Sequence, residues 1–212
     1  MKGSRIIVAM VFLFPAWTGC GGSTEVNNTD ALAYIGISVG KVFNYDIDIG
    51  LTLPQDGKLE VVKLDLEYAN GIEAYQVEMR QNNNLIATRW FEVTPEGLFL
   101  LGEGVKEGND YVERTYLTPI KLVCYPLEKP DGQLVQFWST QSDIEQGGSE
   151  NHRFDNNGKT NLDLPAGTYE AYGLTHTRAI DGGATTALEE HFSPENFYVQ
   201  FEFPKDSIWQ LK

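Results

Sequence analysis

Apolar and polar residues alternate with period two along much of this chain, and that pattern restricts its fold more than any other feature. Phe43, Tyr45, Ile47 and Ile49 alternate with Asn44, Asp46 and Asp48. Val62, Leu64, Leu66 and Tyr68 alternate with Lys63, Asp65 and Glu67. Tyr75, Val77 and Met79 repeat the pattern, as do Val199, Phe201 and Phe203 near the end. Successive side chains of an extended strand point to opposite faces. Each run therefore lays one face on a core and the other in water, as antiparallel sheets do. Turn residues punctuate the runs at Pro54-Gln55-Asp56-Gly57, Asn70-Gly71, Asn82-Asn83-Asn84, Pro95-Glu96-Gly97, Asp131-Gly132, Asn157-Gly158, Pro165-Ala166-Gly167 and Asp181-Gly182-Gly183. The spacing predicts an all-β, mainly antiparallel domain: a curved meander sheet, half-barrel or sandwich. At most one short helix is expected, over 186–191, and 142–151 reads as the most loop-like part of the middle.

The first residues have a different character. Lys2 and Arg5 precede an apolar run, Ile6 to Trp17, interrupted only by Pro15. A run of about a dozen residues is too short to cross a hydrocarbon core as a helix, and suits a cleaved signal. The segment Trp17-Thr18-Gly19-Cys20 resembles the lipobox of bacterial lipoproteins, with Trp17 standing where that pattern places leucine. The resemblance implies cleavage before Cys20 and acylation of its sulfur. Residues 1–19 are then the signal peptide, and 20–33 the lipidated cysteine and a flexible tether. Residues 34–212 form a single β-rich domain. Gly21, in place of the aspartate that retains such proteins at the inner membrane, implies the outer membrane. The expected location is the cell envelope, facing the periplasm or the cell surface.

Charge limits the partners. The chain carries −14, and losing residues 1–19 removes Lys2 and Arg5 and no acid, which gives −16. A body this acidic is repelled by nucleic-acid phosphates and by anionic lipid. The expected membrane contact is therefore the acyl chain on Cys20, and no nucleic-acid partner is expected. An acylated Cys20 leaves no second cysteine for Cys124, which is then expected as a small buried residue of the core.

Three segments carry a further resemblance. Tyr34 to Tyr45 contains a Val39-Gly40 turn leading into an aromatic strand; Leu164-Pro165-Ala166-Gly167-Thr168-Tyr169-Glu170-Ala171 reads as a hairpin; Phe192-Ser193-Pro194-Glu195-Asn196-Phe197-Tyr198-Val199 is an aromatic turn. Together they are similar to a group of bacterial envelope lipoproteins with a "PAGTFEA" hairpin. In the third segment Glu195 and Phe197 stand where that group has glycines. The resemblance implies a curved antiparallel sheet related to the half-barrels of lipoprotein carriers, and brings no catalytic residue.

No catalytic constellation is expected. The three histidines, His152, His176 and His191, lack the i,i+4 spacing of a zinc helix, and no phosphate-binding glycine loop occurs. Asp46-x-Asp48 and the oxygen-rich run Asp155–Asp163 read as a strand face and a turn, not as calcium loops. No cofactor or metal is expected. The aromatics are more suggestive. Adjacent pairs such as Trp90-Phe91 and Phe137-Trp138 must point to both faces of a strand, so Trp90, Phe137, Trp138 and Tyr172 are candidates to face a ligand. The leading expectation is a non-enzymatic, membrane-tethered binding or structural module, with a hydrophobic ligand or an envelope protein as possible partner. One alternative is a carrier with an apolar cavity for lipid or lipoprotein. Another is a hydrolase with a histidine–carboxylate site.

Overall fold

The computed structural model describes residues 28–212, apart from 51–52, 69–70, 108–109, 181–184 and 204–206. The predicted turns at Asn70 and at 181–183, and Cys20 itself, lie outside the described residues. Among the described residues one helix, α1 (Asn28–Ile35), precedes twelve strands. These are β1 (Val42–Asp48), β2 (Gln55–Tyr68), β3 (Ile72–Gln81), β4 (Asn84–Thr94), β5 (Gly97–Glu107) and β6 (Asp110–Cys124). They continue with β7 (Phe137–Asp143), β8 (Ser149–Leu164), β9 (Gly167–Ile180), β10 (Thr185–Ser193), β11 (Phe197–Phe203) and β12 (Ser207–Leu211). The expected all-β antiparallel class is what forms.

All twelve strands belong to one sheet, ordered β6-β5-β4-β3-β2-β1-β12-β11-β10-β9-β8-β7. Every consecutive pair of strands lies side by side except β6 and β7, while the first and last strands pair through Tyr45↔Leu211 and Ile47↔Trp209. The sheet curls until β6 and β7 face each other, which makes a nearly closed barrel with its seam in mid-chain.

The seam is joined by side chains more than by a ladder. The Trp138 indole N–H donates to the Lys121 carbonyl at 2.8 Å, and the Ser142 hydroxyl to the Thr118 carbonyl at 2.6 Å. The Lys121 N–H donates to Thr140 Oγ1, and the Thr115 N–H to Gln146 Oε1. An isolated bridge, Tyr116↔Ile144, also crosses the seam outside the named ladders. The cause lies in β6. Pro119 has no N–H to donate, and Tyr116 to Pro119 bulge out of register with β5 between Leu100 and Gly102.

The interior is filled. Tyr45, Ile47, Met79, Leu98, Ile120, Phe154, Leu174, Phe192 and Trp209 are fully buried. Gly57 makes room for this packing: a Cβ there would sit 2.7 Å from the Trp209 ring and 2.9 Å from Ile47. Helix α1 buries Ala31 and Ile35 and lies against β4 and β5. Its Tyr34 meets Tyr125 and Phe192 on the far side, so the helix spans one end of the barrel.

Three expectations are corrected. Residues 28–33, read as tether, begin α1: Ala31, Leu32 and Ile35 share a face, and the polar Asn28-Thr29-Asp30 opens the helix. Residues 186–191 are strand, not helix. They pair with β9 through Thr186↔Arg178 and with β11 through Glu190↔Phe201, so neighbours on both sides decide the conformation. The run 142–151 is half strand: β7 ends at Asp143, a turn occupies 144–148, and β8 begins at Ser149. In β2 a bulge between Val61 and Lys63 shifts the inward phase. Leu59 and Val61 are buried, while Leu66 of the alternating run is 59 % exposed.

Candidate functional site: a polar chain inside the barrel

The four aromatics expected to face a ligand do not share a cavity. Trp138 is in the core, stacked on Phe154 at 5.4 Å, and ties the seam. Phe137, its neighbour on the opposite face, is 44 % exposed beneath the Arg153 guanidinium. Trp90 stacks on Tyr68, whose hydroxyl lies where a Cβ on Gly102 would be. Tyr172 is buried, with the Lys159 ammonium over its ring and its hydroxyl donating to Glu128.

What the strands do bring together is charge. In β8, Glu150 and His152 occupy the inward phase of Phe154; in β9, His176 and Arg178 occupy the inward phase of Leu174. In β4, Arg89 is in phase with Phe91, and across the ladders it faces Glu103 of β5, which faces Arg114 of β6. Glu150 is 1 % exposed and His152 3 %. Burial of this kind is tolerated only with partners, and the partners are present.

Arg178 donates to both oxygens of Glu150, at 2.8 Å and 2.6 Å. His152 Nε2 lies 3.1 Å from Glu150 Oε2, and His152 Nδ1 lies 2.9 Å from His176 Nε2. His176 Nδ1 then faces Glu190 Oε1 of β10 at 3.6 Å. On the other flank, Glu103 lies 3.7 Å from each of Arg89, Arg114 and Arg178, and receives the Tyr116 hydroxyl at 3.1 Å. The Arg178–Glu103 contact crosses the interior from β9 to β5. Tyr198 of β11 borders the same chain; among the described residues neither its hydroxyl nor Glu190 Oε2 has a hydrogen-bond partner.

The electrostatics follow from these contacts. Burial raises the Glu150 carboxyl, but the His152 and Arg178 hydrogen bonds outweigh it and hold it at about 2. Burial pushes His152 below the usual histidine range, against the pull of Glu150; the His176 and Arg178 charges lower it further. Burial raises the Tyr198 phenol well above its ordinary value, and the Glu190 carboxylate adds to that.

The arrangement can hold and pass a proton. Both nitrogens of His152 and both of His176 face partners inside the chain. His191, the third histidine, lies beside Gly173 on the outer phase of β10. Against the expectation of no catalytic motif, Gly36-Ile37-Ser38-Val39-Gly40 has the spacing of a hydrolase nucleophile elbow. It joins a helix to a strand, the reverse of the strand-to-helix elbow, and the buried histidines bond elsewhere. Among the described residues no group of three His, Cys, Asp or Glu is placed to hold a metal.

Cys124 is fully buried and disulfide-bonded, which corrects the expectation of a thiol in the core. The only other cysteine in the sequence is Cys20.

The outer face is ionic. Lys58 and Glu60, Lys63 and Asp65, Glu78 and Arg80, and Arg153 and Asp155 pair two residues apart along single strands. The hidden residues had a signal in the sequence: charged groups in the apolar phase of an alternating run, as in Glu150-x-His152-x-Phe154. Reading 142–151 as loop concealed it.

No protein-family model matches the chain, and no curated protein matches it. Among solved structures it is similar to a presumed lipoprotein from Parabacteroides distasonis, at 11 % identity and a TM-score of 0.44, over 84 % of this chain and 96 % of that one.

Proposed function

We propose that this chain is a lipid-anchored protein of the bacterial cell envelope, attached through Cys20, whose barrel is a binding or structural module and not an enzyme. The observation that carries the reading is the polarity of the barrel. Strands that cross an outer membrane put an apolar band outside and polar groups within. Here Asn44, Asp46, Lys58, Glu60, Glu78 and Arg80 face out while Tyr45, Ile47, Met79 and Trp209 face in. Such an ionic wall does not enter hydrocarbon, so contact with the membrane falls to the segment before α1. The lipobox-like run ending at Cys20 supplies the means, in a mature form whose Cys20 sulfur carries the lipid in place of a disulfide to Cys124. The resemblance of Leu164–Ala171 to the hairpin of envelope lipoproteins supports the same reading, and Gly21 supports the outer membrane as the destination. The non-enzymatic part rests on His152 and His176, whose ring nitrogens are taken up inside the barrel.

Metabolic labelling with an alkyne fatty acid, followed by fractionation, tests the proposal. Labelled wild-type protein is expected in the membrane fraction, and Cys20→Ser is expected to lose the label. Wild-type protein that takes up no label, or that partitions with the soluble fraction, overturns it.

A further inference from the structure

The gap between His152 Nδ1 and His176 Nε2, 2.9 Å, has room for one hydrogen. Proton counting along the chain follows from that. Glu150, which already accepts two bonds from Arg178, also accepts the His152 Nε2–H. With both rings neutral, His152 Nδ1 accepts from His176 Nε2, and His176 turns a lone pair toward Glu190. One added proton is accommodated: it completes a donor at His176 Nδ1 facing Glu190, and every contact remains donor to acceptor. A second added proton is not. It makes both rings imidazolium and sets two N–H groups head to head across the same gap.

We propose that the His152–His176 pair is an acid latch on the seam of the barrel: it holds the two flanks together while it carries no more than one charge, and a second proton drives the rings apart and loosens β7 from β6. The flanks are joined through this pair and its partners. Arg178 and Glu150 on β9 and β8 connect to Glu103 on β5, and Tyr116 of β6 meets the His152 ring edge-on at 6.3 Å. The seam between β6 and β7 has side-chain bonds in place of a full ladder, so it is the line along which the sheet yields. The charged and titratable groups facing the pair are Glu150 on β8, Arg178 on β9, Glu190 on β10, Tyr198 on β11, Arg89 on β4, Glu103 on β5, and Tyr116 and Arg114 on β6. Phe154 stacks on the His176 ring at 4.2 Å and covers that face of it. The facing Arg178 also opposes a second charge.

Trp138 lies on the seam and reports on it. The test is 19F NMR of the full chain labelled with 5-fluorotryptophan, followed from neutral to acid pH. The wild-type Trp138 signal is expected to move to a second position before global unfolding, with indole N–H protection falling at least about tenfold as the second proton binds. His152→Gln keeps an amide donor for Glu150 and a carbonyl acceptor but takes no proton, so it is expected to hold the Trp138 signal in place. A wild-type signal that stays put until global unfolding overturns the proposal, as does one that moves identically in His152→Gln. If that variant fails to fold, 15N-imidazole NMR of wild type decides. Both rings doubly protonated with Trp138 unmoved contradicts the latch; Trp138 moving as the second ring charges supports it.

Discussion

At the scale of single residues, Glu195 and Phe197 show a local rule broken for packing. Both have left-handed backbone, with φ of 68° and 64°, where an L side chain costs about 1–2 kcal/mol and glycine costs none. Phe197 gains burial against Phe43 and Phe91 in return. Glu195 is exposed, and its backbone carries the contact: its N–H donates to the Tyr34 carbonyl, and its carbonyl accepts Lys41 Nζ at 2.9 Å. Glu195→Gly is therefore expected to be neutral or to stabilise by about 0.5 kcal/mol in urea unfolding, after the entropy glycine restores to the unfolded chain is counted. Gly57→Ala is expected to destabilise by about 1–3 kcal/mol in the same assay, because its methyl meets the Trp209 ring and Ile47. The turn positions were legible from sequence, since Gly, Asn and Pro mark them for local reasons. The buried charges were not. A glutamate in an alternating run reads as solvent-facing unless the phase of the strand is known, and the phase of Glu150 depends on β8 beginning at Ser149.

At the scale of elements, β6 and β7 stand apart from every other neighbouring pair. Elsewhere backbone ladders close the sheet; here Trp138, Thr140 and Ser142 supply the donors and acceptors. Each strand was legible where alternation is regular, as in β1 and β3. The seam was not, because it arises from Pro119 and a bulge acting between strands distant in sequence. The element-scale prediction concerns the Glu150–Arg178 pair that bridges β8 and β9. Glu150→Ala strands Arg178 and His152 and is expected to cost about 3–5 kcal/mol in denaturant unfolding. Replacing both, as Glu150→Met with Arg178→Met, removes two charges together and is expected to cost clearly less than either single change. A double variant no more stable than the worse single one contradicts the pairing.

At the scale of the whole molecule, a meander whose ends meet at β1 and β12 makes one barrel with an apolar interior, an ionic wall and a charged chain through its middle. The chain makes stability depend on pH. His152 binds a proton less readily when folded than when unfolded, so stability falls as pH drops through the ordinary histidine value of 6.5. Glu150 binds its proton far less readily when folded; that stability is present above 4.5 and is lost as pH falls toward 2. The urea midpoint is expected to be flat above about pH 7 and to fall in two steps below it, with the lower step diminished in Glu150→Gln. In the function proposed above, a lipid on Cys20 holds this barrel at a membrane. One sulfur cannot carry both a thioether lipid and a disulfide to Cys124. Mass spectrometry of the N-terminal peptide from the membrane-bound protein, prepared without reductant, decides between them. The expected peptide begins at Cys20 and carries the mass of a diacylglyceryl group. A peptide in which Cys20 is disulfide-linked to Cys124, or one that still bears residues 1–19, would contradict it.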